Sequence, residues 1–178
     1  MAVIVGHRAL VAYGREDGRY DVYYSHWGGA DLALARQLAD PATDPVADEP
    51  LSRAVEFAAV VGQYLDPLVH EALFVVDDEP RVYRTLWFGF GGGVDSSVDE
   101  SSAGGLLVGV DWTDPCDDAH VRAWFAGARA VAAACHKRGE LSQTMAATVV
   151  ERALRDWADD REVIRPPATS GTGRTTGR

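Results

Sequence analysis

Two histidines, His7 and His26, flank an Asp17-Gly18 pair in a stretch that reads as a β-hairpin. Asp-Gly is the favoured pair for a two-residue type I′ loop. Such a loop sets Ala9 opposite His26, Val11 opposite Tyr24 and Tyr13 opposite Val22. His7, Tyr24 and His26 then share one face, with His7 diagonal to His26 at roughly 7–8 Å between backbones, within reach of two imidazoles. Imidazoles titrate near neutral pH, so such a pair can work as general acid and base. With a third group such as His70 or Glu71 it could also hold a metal, and with Tyr24 it lines a binding surface. Arg8 and Trp27 fall on the opposite face, where a guanidinium over the indole contributes about 0.5–1 kcal/mol. Hydrogen-bonded sheet histidines without chemistry are the plain alternative.

Asp66, His70 and Glu71 stand together before another predicted strand. They form an acid/base cluster if that segment reaches the histidine face of the hairpin. The catalytic candidates are therefore His7, His26, His70 and Glu71, with Asp66 as a further acidic partner. The candidate ligand or partner surface is Arg8, Tyr24, Ser25, His26 and Trp27. No metal site is expected, because two histidines of one hairpin do not complete a coordination sphere. No cofactor motif is present. Ser25 lacks the Gly-x-Ser-x-Gly elbow of a nucleophile. The run of residues 89–93, GFGGG, lacks the helix start that a phosphate cradle needs, and reads as a β-loop. The acidic stretches 40–50 and 95–100 lack the D-x-D-x-D-G spacing of a calcium loop.

These residues need elements to position them. Residues 3–13 read as a strand that is apolar on both alternating faces, which places it inside a sheet. Residues 20–27 are its return strand. A short helix over 30–39, an acidic loop over 40–50 and a helix over 50–65 follow, the last burying Leu51, Val55, Ala58, Val61 and Leu65. Strands at 72–76 and 81–90 form a second hairpin, and 106–112 a fifth strand. Two helices complete the pattern. One starts at Asp114-Pro115 and stops at Gly139, and the other covers 142–159. This order predicts an α+β fold: a mainly antiparallel sheet of about five strands, two hairpins plus one, packed against about four helices. A single domain over 1–163 is expected, with 164–178 as a disordered tail lacking large apolar side chains.

Composition narrows the partners. The chain of 178 residues carries 27 acidic and 17 basic side chains, for a net charge of −10. Lys137 is the one lysine among the bases, and Asp outnumbers Glu by 18 to 9. An Asp excess with almost no lysine fits a protein adapted to molar salt, where the Debye length shrinks to about 3 Å. An acidic chain without a basic stripe argues against nucleic acid and anionic membranes as partners. No run approaches the ~20 apolar residues of a membrane span, and no signal peptide is expected. Cys116 and Cys135 fall on one predicted helix, nearly 28 Å apart at ~1.5 Å per residue, so they cannot pair there. Cysteines so placed suit a reducing, cytoplasmic compartment.

Three motifs carry a resemblance: the strand of residues 7–13, HRALVAY, the Asp17-Gly18 turn, and the return strand of residues 24–28, YSHWG. With weaker likeness at LDPLVHEALFVVD and TLWFGF, the chain resembles a haloarchaeal family of short acidic proteins of unknown function. The hairpin is also loosely similar to short phage and bacterial proteins with a Tyr-x-His-Trp strand. Those carry an Asp after the Trp where this chain has Gly28, so no role of that carboxylate transfers. The family resemblance implies a salt-rich haloarchaeal cytoplasm and no activity, and the reading adds viral or prophage descent. The reading is a binding or accessory module with a protein or small-molecule partner. The alternative is a hydrolase or metal-dependent enzyme using His7 and His26 with an acidic partner.

Overall fold

The computed structural model describes residues 7–29, 32–38, 49–90, 104–114 and 116–167. Residues 40–48 of the acidic loop expected at 40–50, residues 91–103 of the glycine-rich loop expected at 91–105, Pro115 and the tail from 168 onward lie outside the described residues.

Strand β1 (Ala9–Gly14) has Ala9, Leu10, Val11 and Ala12 wholly buried. A strand without a polar face needs cover above, below and on both edges. It obtains this at the third place of a seven-stranded sheet ordered β3-β2-β1-β4-β5-β6-β7. The other strands are β2 (Tyr20–Ser25), β3 (Ser52–Val55), β4 (Ala72–Val76), β5 (Arg81–Trp87), β6 (Gly105–Val110) and β7 (Val163–Ile164). The hairpins β1–β2 and β4–β5 abut through their first strands, so β1 and β4 run parallel while the other neighbours are antiparallel.

The fold is α+β as expected, but among the described residues the sheet has seven strands rather than about five. The first added strand is β3, inside the span expected as a helix from residue 50. The outer edge of β2 carries backbone groups that need partners. Leu51 N–H donates to Val22 O at 2.7 Å, and Ala54 N–H to Asp21 Oδ1 at 2.9 Å. Helix α2 starts only at Phe57 and runs through Ala59 into a π-helical turn, Val60–Tyr64. Leu51 is consequently exposed, and the burial falls on Val60, Val61 and Leu65. The second addition is β7, which pairs Val163 with Val108 and Ile164 with Leu107.

Helices α1 (Ala33–Leu38), α3 (Asp117–Lys137) and α4 (Gln143–Ala158) cover one face of the sheet. They pack Leu34, Val121, Phe125, Val150 and Leu154 onto Ala9, Val11, Phe74 and Leu106. Helix α2 covers the other face, setting Val60, Val61 and Leu65 against Leu10, Leu73, Val75 and Tyr83. Ser142 caps α4 by accepting from Met145 N–H at 3.2 Å. Asp114, expected as the cap of α3, instead accepts from Cys116 N–H at 2.8 Å, one turn ahead of the helix. Asp117 in the first turn of α3 receives Arg161 through both carboxylate oxygens, at 2.5 and 2.6 Å. That bonding holds the Asp117 carboxyl below its ordinary range against the cost of desolvation, and ties the end of α4 to the start of α3.

Candidate functional site

The hairpin turn decides where the candidate residues go. Arg15 N–H donates to Arg19 O at 2.8 Å and Gly18 N–H to Arg15 O at 3.0 Å, closing a loop of Glu16, Asp17 and Gly18. Gly18 has φ +76°, the left-handed position that ends a three-residue loop and favours glycine. The extra loop residue shifts the register from the expected one. Ala9 lies opposite Ser25, Leu10 opposite Tyr24 and Val11 opposite Tyr23. A one-residue slip turns every side chain of the return strand to the other face. Tyr24 thus joins Leu10 and Ala12 on the α2 side, while Tyr23 meets Tyr13 edge-on at 5.4 Å on the α3 side.

His7 and His26 are not brought together. Beyond Ser25 the chain leaves the ladder in a tight turn. Ser25 Oγ accepts from Gly28 N–H at 3.1 Å, and Gly29 N–H donates to His7 O at 2.9 Å. A Cβ on Gly28 would stand 2.7 Å from Leu34 Cδ2, and one on Gly29 2.9 Å from Arg8 O, so both positions need glycine's small profile. The turn carries Trp27 outward, 65% exposed. The stacking of Arg8 on Trp27 expected from the two-residue loop is absent, because Trp27 no longer sits in the ladder opposite Arg8.

Two clusters result, on opposite faces of one end of the sheet. On the α3 side, His7 Nδ1 lies 3.1 Å from Glu71 Oε2. Behind them Arg84 is buried in β5 and bonds Asp118 of α3 through Nε at 2.5 Å and Nη2 at 2.7 Å. Arg84 Nη1 donates to Gly29 O at 3.3 Å and Glu71 O at 3.2 Å. Arg122, one turn along α3, adds a 3.0 Å bond to Asp118 Oδ2. A buried guanidinium is tolerable only when its donors are filled; here three chain segments fill them. His7, Glu71, Arg84, Arg122 and Phe125 line a cleft of about 410 Å³.

On the α2 side, His26 stands edge-on to Tyr24 at 4.7 Å between ring centres, and Tyr24 edge-on to His70 at 6.0 Å. His70 is buried, and its Nδ1 accepts from Asp66 N–H at 2.9 Å. That bond assigns the remaining proton of the neutral ring to Nε2. Burial pushes the His70 pKa below the ordinary value, partly opposed by the Asp66 carboxylate and reinforced by the charge of Arg8. His70 and Glu71 are adjacent in sequence, yet one ring faces Tyr24 and the other side chain faces His7.

Sequence reasoning did not single out Arg84, Asp118 and Arg122 as a site. A signal existed for the first. Arg84 lies in phase with Val82 and Leu86 on β5, which places a guanidinium on an apolar face and requires a buried acid. A larger hollow of about 740 Å³ lies between β5, β6 and the end of α4, lined by Arg81, Trp112, Trp157, Arg161 and Glu162. Its basic groups are paired within the chain, Arg161 with Asp117 and Arg81 with Asp77, and Tyr83 OH donates to Glu162 at 2.6 Å. Among the described residues, no three His, Cys, Asp or Glu side chains are grouped so as to hold a metal ion. Nor is any described helix long and apolar enough to cross a membrane.

No curated protein and no solved structure matches the chain. A family model does match, over residues 5–47 and 36–165, which takes in the hairpin, both clusters and the helical pair. By that match the chain belongs to the DUF6735 family of unknown function.

Proposed function

We propose that the protein is a binding module whose contact surface is the exit of the first hairpin: Trp27, His26, Tyr24 and Arg8, with Ser25 holding the turn. The observation that carries this reading is the 65% exposure of Trp27 on a turn fixed by Ser25 Oγ and by two close-packed glycines. Tryptophan, tyrosine and arginine dominate binding energy at interfaces, and a side chain offered on a rigid turn loses little entropy on contact. The partner is a protein or small molecule with an apolar, hydrogen-bonding surface. The net charge of −10 and the scarcity of lysine support work in molar salt. There ionic contacts are screened within about 3 Å, and an aromatic anchor keeps its strength. A melting temperature that rises with KCl from low to molar concentration is expected, and a flat curve refutes the salt adaptation.

Affinity capture in about 2 M KCl tests the contact surface, using the wild type, Trp27→Ala and a distant exposed control, Lys137→Ala at the far end of α3. A stoichiometric species retained by the wild type and the control but lost with Trp27→Ala is expected. Identical capture by all three refutes the surface.

A second reading rests on the His7–Glu71 contact at 3.1 Å beside the 410 Å³ cleft. A carboxylate that orients an imidazole at a cleft is the geometry of a general base. In this form the hydrolase uses Glu71 as partner of His7, and His26 takes no part. Hydrolysis of p-nitrophenyl ester and phosphate probes, abolished by His7→Ala and weakened by Glu71→Gln, is the expected outcome. Rates equal to those of both variants remove the reading.

A further inference from the structure

The outer surface of the α3–α4 pair differs in charge from the rest of the chain. Residues 119–150 contain one of the 27 acidic side chains, Glu140, and Arg138 engages it at 2.6 Å. The basic groups of the same stretch are also largely committed within the chain. Arg122 bonds Asp118, and Arg129 donates to the carbonyls of Phe88 and Gly89. Three large apolar side chains of the pair face solvent: Val131 is 67% exposed, Met145 54% and Val149 50%. Ala123, Gly127 and Ala130, also exposed, follow the spacing of one helical stripe on α3. Trp124 stacks on Trp157 at 5.0 Å, and this antiparallel register brings Val131 level with Val149. The two valines thus flank one groove. An apolar area rimmed by polar groups marks an interaction surface.

Gly127 is an independent sign. It lies inside α3, where glycine lowers helix stability relative to alanine. A Cβ built on it meets nothing within 4 Å, so no described neighbour requires its absence. A backbone approaching from outside would require it.

We propose that this face joins two copies of the chain, α3 against α3, about a two-fold axis near Gly127 and Val131. Each copy carries a net charge of −10. Two copies meeting through their carboxylate-rich surface would set like charges against each other; between residues 119 and 150 this face carries one acid, Glu140, held by Arg138, and Asp156 stands toward its end. Arg122, Arg129 and Arg138 are engaged internally, so an acidic partner would meet two exposed cations, Lys137 and Arg152, beside three large apolar side chains. Helix α3 spans about 32 Å at 1.5 Å per residue. A strip of that length and one helix pair wide offers about 600 Å² per copy, at the lower end for a specific interface.

The test is sedimentation velocity of the full chain at 5–100 µM in 0.2 and 2 M KCl. The wild type is expected at twice its 19.2 kDa mass, with association strengthened by salt because the contact is apolar. Val131→Asp raises the dissociation constant at least tenfold. Gly127→Leu does the same while raising the melting temperature of the monomer by about 2–4 °C, so loss of the dimer cannot be assigned to unfolding. A wild type of 19.2 kDa at 100 µM in both salts overturns the proposal. So does a dimer that survives both substitutions, or one that dissociates as KCl rises.

Discussion

The two faces of the sheet at the hairpin exit treat polar groups differently. On the α3 side, charge is buried and cross-linked: Arg84 bridges Asp118 and the carbonyls of Gly29 and Glu71. On the α2 side, neutral rings meet edge to edge, and His70 is held by one backbone donor from Asp66. Both faces draw on the same short segments before β1, after β2 and before β4. Neighbours in sequence, such as His70 and Glu71, go to different faces because consecutive side chains of extended backbone point apart. A cluster read from sequence adjacency is therefore divided by the sheet it flanks.

The largest effect should come from unpairing the buried charge. Asp118→Ala or Arg84→Met alone is expected to cost about 3–5 kcal/mol, because the remaining charge stays buried without its partner. The double change Arg84→Met with Asp118→Leu should recover most of that loss. Chemical denaturation measures all three, and a single change costing under about 1 kcal/mol would show that the α3 side is not an interlocked charge site.

The α2 side should respond to acid instead. The His70 pKa is lowered in the folded state, so the unfolded chain takes up the proton first. Stability from His70 is complete above the ordinary value of 6.5 and declines as pH falls below it toward the depressed folded value. Melting curves between pH 7.5 and 5 should show this slope, and His70→Gln should remove it while costing about 1–2 kcal/mol for the bond to Asp66 N–H. An unchanged slope would place the titration elsewhere. Smaller effects belong to the exposed rims. Glu71→Gln should cost about 0.2–1 kcal/mol, as for other exposed ion pairs. Trp27→Ala should stay within about 0.5 kcal/mol in a thermal melt, since its ring supports nothing inside the fold. A larger loss for Trp27 would make it a structural residue rather than a contact.

Much of this architecture was legible. The double-sided apolar run of β1 announced a central strand, and Ser142 and Gly139 marked the ends of the helical pair. Strands β3 and β7 were not legible, because Ser52–Val55 carries weak local preference and Val163–Ile164, though β-branched, is only two residues long. They become strands because β2 and β6 present edges that need partners. The hairpin register was ambiguous for a related reason. Asp17-Gly18 suits a two-residue loop and, with Glu16 added, a three-residue one. Register is specified where one face is buried and the other is not, and β1 is apolar on both, so its pattern could not choose.

Local preference and hydrophobic period thus determined, from the sequence alone, an α+β fold with two hairpins and a helical pair, and composition a net charge of −10. Only the tertiary structure decided that His7 meets Glu71 while His26 meets Tyr24, and that Arg84 meets Asp118 across 34 residues of chain. Those pairings depend on which face each segment presents after packing. One residue in a turn changes that face, at little local cost in free energy.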